Sequence, residues 1–261
     1  MQDFEQTFKA GREALEIGEF KQAAKAFRQA LSLAPERTDI HFLLGEALAE
    51  DGLLKEAIAA YERGLAASPR ELDALYDLGD LYFENQQPER ALQIYQRILD
   101  TDPREADALV SSGLVHFQQE RLEQALECYR KALELEPDSI FALNSLGDAL
   151  HARGENEQAL QCYHHAVSLD PEDPQGHFNL AEMYYDNDDL AAAEQSCRKA
   201  LSLDPGFAYA HLTLGNICLD QEKLREALQS FQEFLLHERS PDAQEIRDEV
   251  AAVIAGIKEE L

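Results

Sequence analysis

The chain has 261 residues, of which 45% are hydrophobic, enough for a core, but no apolar run is long enough to cross a bilayer, so no membrane insertion is expected. Fifty-one acidic residues against 23 basic give a formal charge of −28, which disfavours nucleic acid and anionic membrane surfaces as partners. The start, MQDFEQTFKAG, carries neither a basic n-region nor an apolar h-region, so the expected location is cytoplasmic.

In chain order, the first helix is predicted from Phe4 to Ile17, with Asp3 as its cap and Gln6 in the reciprocal place. Gly18 offers a residue free to take positive φ, and a second helix follows from Phe20 to Leu33, stopped by Pro35. This pair then recurs. Prolines fall at Pro35, Pro69, Pro103, Pro137, Pro171 and Pro205, every interval being 34 residues. With the proline at place 32, seven repeats result: 4–37, 38–71, 72–105, 106–139, 140–173, 174–207 and 208–241. Gly52 and Gly154 occupy the same turn as Gly18.

Other columns align in this register. Place 8 holds Gly11, Gly45, Gly79, Gly113, Gly147, Ala181 and Gly215. Place 20 is alanine throughout, from Ala23 to Ala227. Place 24 holds Phe27, Tyr61, Tyr95, Tyr129, Tyr163, Cys197 and Phe231. A mid-helix glycine costs about 1 kcal/mol against alanine, so the glycine column implies close packing in return. The expected arrangement sets the small residue of place 8 against the alanine of place 20, with the ring of place 24 filling space toward the next repeat. After the last repeat, residues 242–261 form an amphipathic helix, begun by Ser240 and Pro241. Ile246, Val250, Val253, Ile254, Ile257 and Leu261 make its apolar stripe, expected to cap the exposed end of the array. The total is fifteen helices and no sheet.

Chemistry-bearing patterns are scarce. Cys128, Cys162, Cys197 and Cys218 include no CxxC and read as reduced, packed thiols. His41, His177 and His211 share place 4, a packing place, and His116 takes another interior place. His164 and His165 point about 100° apart on a helix and do not chelate one ion readily. No nucleophile with its base, no phosphate-binding glycine loop, no cofactor and no metal is expected, and the chain reads as a non-enzyme.

The columns resemble the tetratricopeptide repeat, whose pattern has Leu-Gly at 7 and 8, alanine at 20, an aromatic at 24 and proline at 32. The resemblance covers residues 4–241. It implies an all-α solenoid, a right-handed superhelix of antiparallel helix pairs, whose first helices line a concave groove with places 2, 5, 6, 9, 12 and 13. In this chain those places carry fourteen acids and two bases. The candidate binding residues are Asp39, Phe42, Glu46, Asp73, Tyr76, Asp77, Asp80, Phe83 and Phe117 in the acidic part. In the aromatic and amide part they are Phe141, Asn144, Phe178, Asn179, Tyr185, Tyr209 and Asn216. Asparagines can bond an extended peptide backbone through both donor and acceptor, and exposed rings supply apolar anchors. The implied role is a scaffold for another protein, taking up a basic or mixed basic and apolar segment, extended or helical. The lysine and arginine set with which some members of this family clamp a carboxylate is absent from these acidic places. A self-associating structural protein and a regulatory subunit of a partner enzyme are the other readings.

Overall fold

Apolar residues at helical spacing, with alanine wherever two helices crowd, fold as helices from end to end. The computed structural model describes residues 2–261, and among these are fifteen α-helices, one 3-10 turn and no strand. The chain divides into two compact halves, at Leu135 and Glu136. The first holds α1 (Gln2–Glu16), α2 (Phe20–Leu33), α3 (Ile40–Glu50), α4 (Leu54–Ala67), α5 (Leu72–Glu84), α6 (Pro88–Thr101), α7 (Ala106–Gln118) and α8 (Leu122–Leu135). The second holds α9 (Ile140–Ala152), α10 (Asn156–Leu169), α11 (Pro174–Asp186), α12 (Leu190–Leu203), α13 (Ala208–Asp220), α14 (Leu224–His237) and α15 (Gln244–Glu260). Within each half every helix packs on the one before and the one after it. Among the described residues no helix is long and apolar enough to cross a membrane.

The glycine column has a more specific partner than its spacing suggests. A Cβ built on Gly79 would lie 2.5 Å from Cε1 of Tyr95, the place-24 ring of the same repeat. Gly11 meets Phe27 in the same way, as do Gly45 and Tyr61, Gly113 and Tyr129, Gly147 and Tyr163, and Gly215 and Phe231. The ring therefore lies on its own repeat's glycine, because a bare backbone admits it between two close helices, and the Tyr61 hydroxyl reaches on to Asp77 of the next repeat. The sixth repeat departs at both places together. It has Ala181 and Cys197, both fully buried, so the added methyl accompanies the loss of the ring. The place-20 alanines are fully buried in every repeat, from Ala23 to Ala227.

The turn between paired helices is the same in all repeats. At place 15 the chain takes a left-handed conformation, with φ of 77° at Gly18, 75° at Gly52 and 82° at Gly154. Gln86, Glu120, Asp188 and Glu222 take it in the other four, at φ of 56°, 59°, 61° and 60°. The following amide reaches back across the turn, as from Gln87 N–H to Tyr82 O at 2.8 Å and from Lys223 N–H to Cys218 O at 2.8 Å. This bond satisfies a helix-end carbonyl, which is why residues with a Cβ accept the strain.

Three expectations change. The first helix begins at Gln2, so Asp3 sits inside its first turn instead of capping it; its carbonyl accepts from Thr7 Oγ1 at 2.7 Å. Proline is not what closes the second helices: α14 ends at His237, in register with the others, although place 32 there is Arg239. Its Glu238 N–H bonds Phe234 O, as Ala34 N–H bonds Ala30 O after α2. In the tail, Pro241 opens a 3-10 turn over Pro241–Ala243, Ser240 makes no side-chain cap bond, and α15 starts at Gln244. Val250, Ile254 and Ile257 are buried against α14 and its neighbours, whereas Val253 is 38% and Leu261 57% exposed, because α15 turns only a narrow stripe inward.

Two outcomes follow, both read by urea denaturation. Gly79→Ala is expected to destabilise the protein by about 1–3 kcal/mol, since the added methyl must displace the buried ring of Tyr95. Gln86→Gly is expected to stabilise it by about 0.5–1 kcal/mol, the left-handed strain relieved less the extra chain entropy of glycine, with Gly52→Ala moving stability the other way.

Candidate partner-binding site

The strongest concentration of function-bearing side chains lies in the first half, between α3, α4 and α5. A depression of about 520 Å³ there is lined by Glu46, Ala49, Glu50, Tyr61, Asp77, Asp80, Leu81 and Glu84. Five of these are acids and none is basic. Glu46 and Glu50 lie one turn apart on α3, and Asp77, Asp80 and Glu84 follow on α5, so helical spacing turns both sets to one side. Glu46 has its carboxyl pushed up by partial burial, then by Asp77 and Glu50. Asp77 is pushed up by burial and by Asp80 and Asp73, against a hydrogen bond from Tyr61. Both residues are exposed overall, so it is the carboxyl end, set against the helix pair, that loses water. Raised acid pKa values mean that ionising this pocket opposes folding, an effect that grows as pH rises through the carboxylate range. A cation placed among these carboxylates would relieve it.

Two of these acids also serve the core. Tyr95 Oη donates to Asp80 Oδ1 at 2.5 Å, and Tyr61 donates to Asp77. In the second half Tyr163 donates to Asp148 at 2.6 Å. These rings are the ones that lie on the glycines, so their hydroxyls emerge where the carboxylates stand. An aspartate at place 9 together with a tyrosine at place 24 was a readable signal for this in the third and fifth repeats. The first and seventh have Arg12 with Phe27 and Asn216 with Phe231.

The remaining candidates of the first half are variously engaged. Asp39 is exposed but held by Arg37, whose Nε and Nη2 lie 2.8 and 2.7 Å from its oxygens and keep its carboxyl low. Arg37 also lies 5.3 Å from the ring centroids of both Phe4 and Phe8. Phe42 is half-buried over Gly64, 6.2 Å from the ring of Tyr61, and is a packing group. Tyr76 is half-buried and donates to Glu105 at 3.2 Å. Phe83 packs on the core, and Phe117 is half-buried near the end of α7. Asp73 is exposed in the first turn of α5.

In the second half Phe141 is 59% exposed and Tyr209 40%, the latter edge-on to Phe234 at 6.0 Å. Phe178 packs against Phe207 at 4.8 Å. Tyr185 donates to Asp220 at 2.7 Å, Asn179 Oδ1 accepts from Gln175 at 2.7 Å, and Asn216 is half-buried. Asn144 Oδ1 is buried without a hydrogen-bond partner, so it is covered rather than presented. The histidine pair diverges: His164 Nε2 contacts Tyr184 Oη at 2.8 Å while His165 Nε2 lies 3.9 Å from Asp138. Burial pushes the thiols of Cys128 and Cys218 up and that of Cys197 up to about 12.

Family models for tetratricopeptide repeats match residues 8–71 and 76–140, 128–161 and 184–249, and a TPR repeat model matches 147–188. The chain belongs to the tetratricopeptide-repeat proteins. No curated relative matches it. Among solved structures it is similar to a tetratricopeptide repeat protein from Parabacteroides merdae ATCC 43184, at 21% identity and a TM-score of 0.78 over 98% of this chain and 100% of that one. It is similar to Pseudomonas aeruginosa pilF, at 21% identity and 0.63 over 84% and 98%. It is also similar to a chain of the APC/C hetero-tetramer Cut9-Hcn1, at 16% identity and 0.68 over 92% and 48%. At these identities the likeness is one of fold.

The double use of Asp80 gives a measurable asymmetry. Asp80→Ala is expected to cost about 1–3 kcal/mol by leaving the Tyr95 hydroxyl without its acceptor, and Asp73→Ala less than about 0.5 kcal/mol. Adding Tyr95→Phe to Asp80→Ala should recover part of the loss in chemical denaturation.

Proposed function

We propose that this protein is a non-catalytic scaffold that binds a basic, partly apolar segment of another protein. The acidic depression between α3, α4 and α5 is the primary contact. The observation that carries this reading is five carboxylates around one depression with no base among them, two of them held above their ordinary range. An arginine or lysine side chain entering there meets several acceptors at once and lowers the cost of keeping the acids ionised; arginine can take two carboxylate oxygens in one plane. Glu46, Glu50 and Glu84 are the acids of choice for this contact, since Asp77 and Asp80 already accept from tyrosines. In the second half, taken by itself, Phe141 and Tyr209 are exposed rings that can receive an apolar side chain. Family membership supports protein binding as the general role, and the raised thiol pKa values speak against cysteine nucleophiles.

The test uses a fluorescent peptide in which arginines and lysines alternate with leucine and phenylalanine, titrated by anisotropy. Glu46→Gln, Glu50→Gln and Glu84→Gln combined should weaken binding roughly tenfold, three exposed ion pairs being together worth about 1–3 kcal/mol. Glu245→Gln, Glu249→Gln and Glu259→Gln, the same charge change on α15, should alter it less than about twofold. Affinity should fall as salt rises from 0.05 to 0.3 M, roughly the range over which exposed charges become screened. Equal weakening in both triples would reduce the effect to net charge and overturn the assignment of the site.

A further inference from the structure

In the second half, α13 and α14 bring together three metal-ligating side chains that packing does not explain. His211 lies on α13, and Glu233 and His237 lie one turn apart on α14; one ligand atom from each falls within 4.8 Å of the other two. The two imidazoles are nearly parallel, 6° apart, with centroids at 5.9 Å. His237 Nε2 lies 3.7 Å from Glu233 Oε2, while its Nδ1 faces the bare backbone of Gly206. His211 Nε2 lies 3.0 Å from Pro205 O. A carbonyl accepts only from a protonated nitrogen, so this contact leaves the His211 lone pair on Nδ1. A metal-bound histidine is ordinarily oriented in this way, by donating its other nitrogen to a carbonyl or carboxylate.

We infer that His211, Glu233 and His237 form a binding site for a divalent transition-metal ion of the zinc class, with a fourth position open to water or to a partner's side chain. Two imidazoles and one carboxylate are a ligand set that such ions accept, two of the three at i and i+4 on one helix. Ligand atoms of a tetrahedral zinc stand roughly 3.3 Å apart, from metal–ligand distances of about 2.0 Å. The exposed His237 and half-buried Glu233 close the difference by side-chain rotation. A cavity of about 340 Å³, lined by His211 and Glu233 among others, adjoins the cluster and leaves room for the ion and its water. Arg198, the cation lining that cavity, is engaged by Glu194 at 2.8 Å and Glu226 at 2.6 Å, so its charge does not oppose the ion.

The chain carries its own control. His177 occupies the corresponding place in the sixth repeat, and its Nε2 makes the same contact to Pro171 O at 3.0 Å. Where the seventh repeat has Glu233 and His237, the sixth has Lys199 and Leu203, and no ligand set forms. The histidine-to-carbonyl contact is therefore shared by the sixth and seventh repeats, and the glutamate and second histidine are particular to the last one.

The experiment titrates the metal-free protein with Co²⁺, following visible d–d absorption, then displaces it with Zn²⁺. One equivalent of Co²⁺ should give the intense absorption of low-coordinate cobalt, abolished by Zn²⁺. His237→Ala and Glu233→Gln should each weaken affinity at least about tenfold, since loss of a ligand costs no less than loss of its supporting contact. His177→Ala should bind as the wild type does. His237 and Glu233 are not core residues, so both variants should keep the wild-type circular dichroism, and binding can be compared in folded protein. Absence of one-to-one binding in the wild type, binding that survives in both His211→Ala and His237→Ala, or equal loss in His177→Ala would overturn the site.

Discussion

A ring set on bare helix backbone governs how close the two helices come in six of the seven repeats. Tyr95 on Gly79 and its equivalents bring the second helix onto the first with only the ring between them at that point. Once that distance is set, the alanine at place 20 is the size the remaining gap admits, and the turn between the helices must be short. The short turn in turn demands a left-handed residue at place 15, which the chain accepts even where it is Gln86 or Glu120. Where the ring is a tyrosine, its hydroxyl points from the core to the carboxylate of Asp80 or Asp148, which receives it. In the second, third and fifth repeats packing, turn and surface charge are thus linked through one tyrosine.

The linkage bears on binding. The acidic depression is not a set of equivalent charges: Asp77 and Asp80 belong partly to the core, and Glu46, Glu50 and Glu84 to the solvent. A partner that competes for Asp80 must first draw it from Tyr95, and would loosen the third repeat in doing so. One that uses the glutamates meets no such resistance. The distinction divides binding energy from folding energy within a few ångströms, and separates residues that a reading of surface charge treats alike.

Much of the architecture was legible because repetition converts single residues into columns. Helix pairs, their lengths and the tail helix can be read from the 34-residue register, since glycine, alanine and proline each leave a strong physical trace. The left-handed turn was legible at Gly18, Gly52 and Gly154 alone, because Gln86 or Glu222 announces nothing about its backbone. The seat of the place-24 ring on its own repeat's glycine was not legible, as a column says that a residue is large without saying what it touches. The acidic character of the candidate site was visible in Glu46, Asp77 and Asp80, but the tyrosine bonds needed places 9 and 24 to be read together. His211, Glu233 and His237 were hidden for a related reason: His211 shares its place with His41 and His177, Glu233 and His237 read as ordinary surface residues, and only the crossing of α13 with α14 brings the three together.

The sixth repeat shows what such coupling means over many generations. Ala181 and Cys197 stand where the other six repeats have glycine and a ring, and neither change is neutral alone. A methyl added first collides with the ring; a ring lost first leaves a void, and both intermediates lose stability. The two positions are coupled physically, so either exchange alone carries a cost that the pair together avoids. Restoring glycine or the ring singly in the sixth repeat would meet the same kind of cost from the other side, so the repeats exchange these two residues favourably only as a pair.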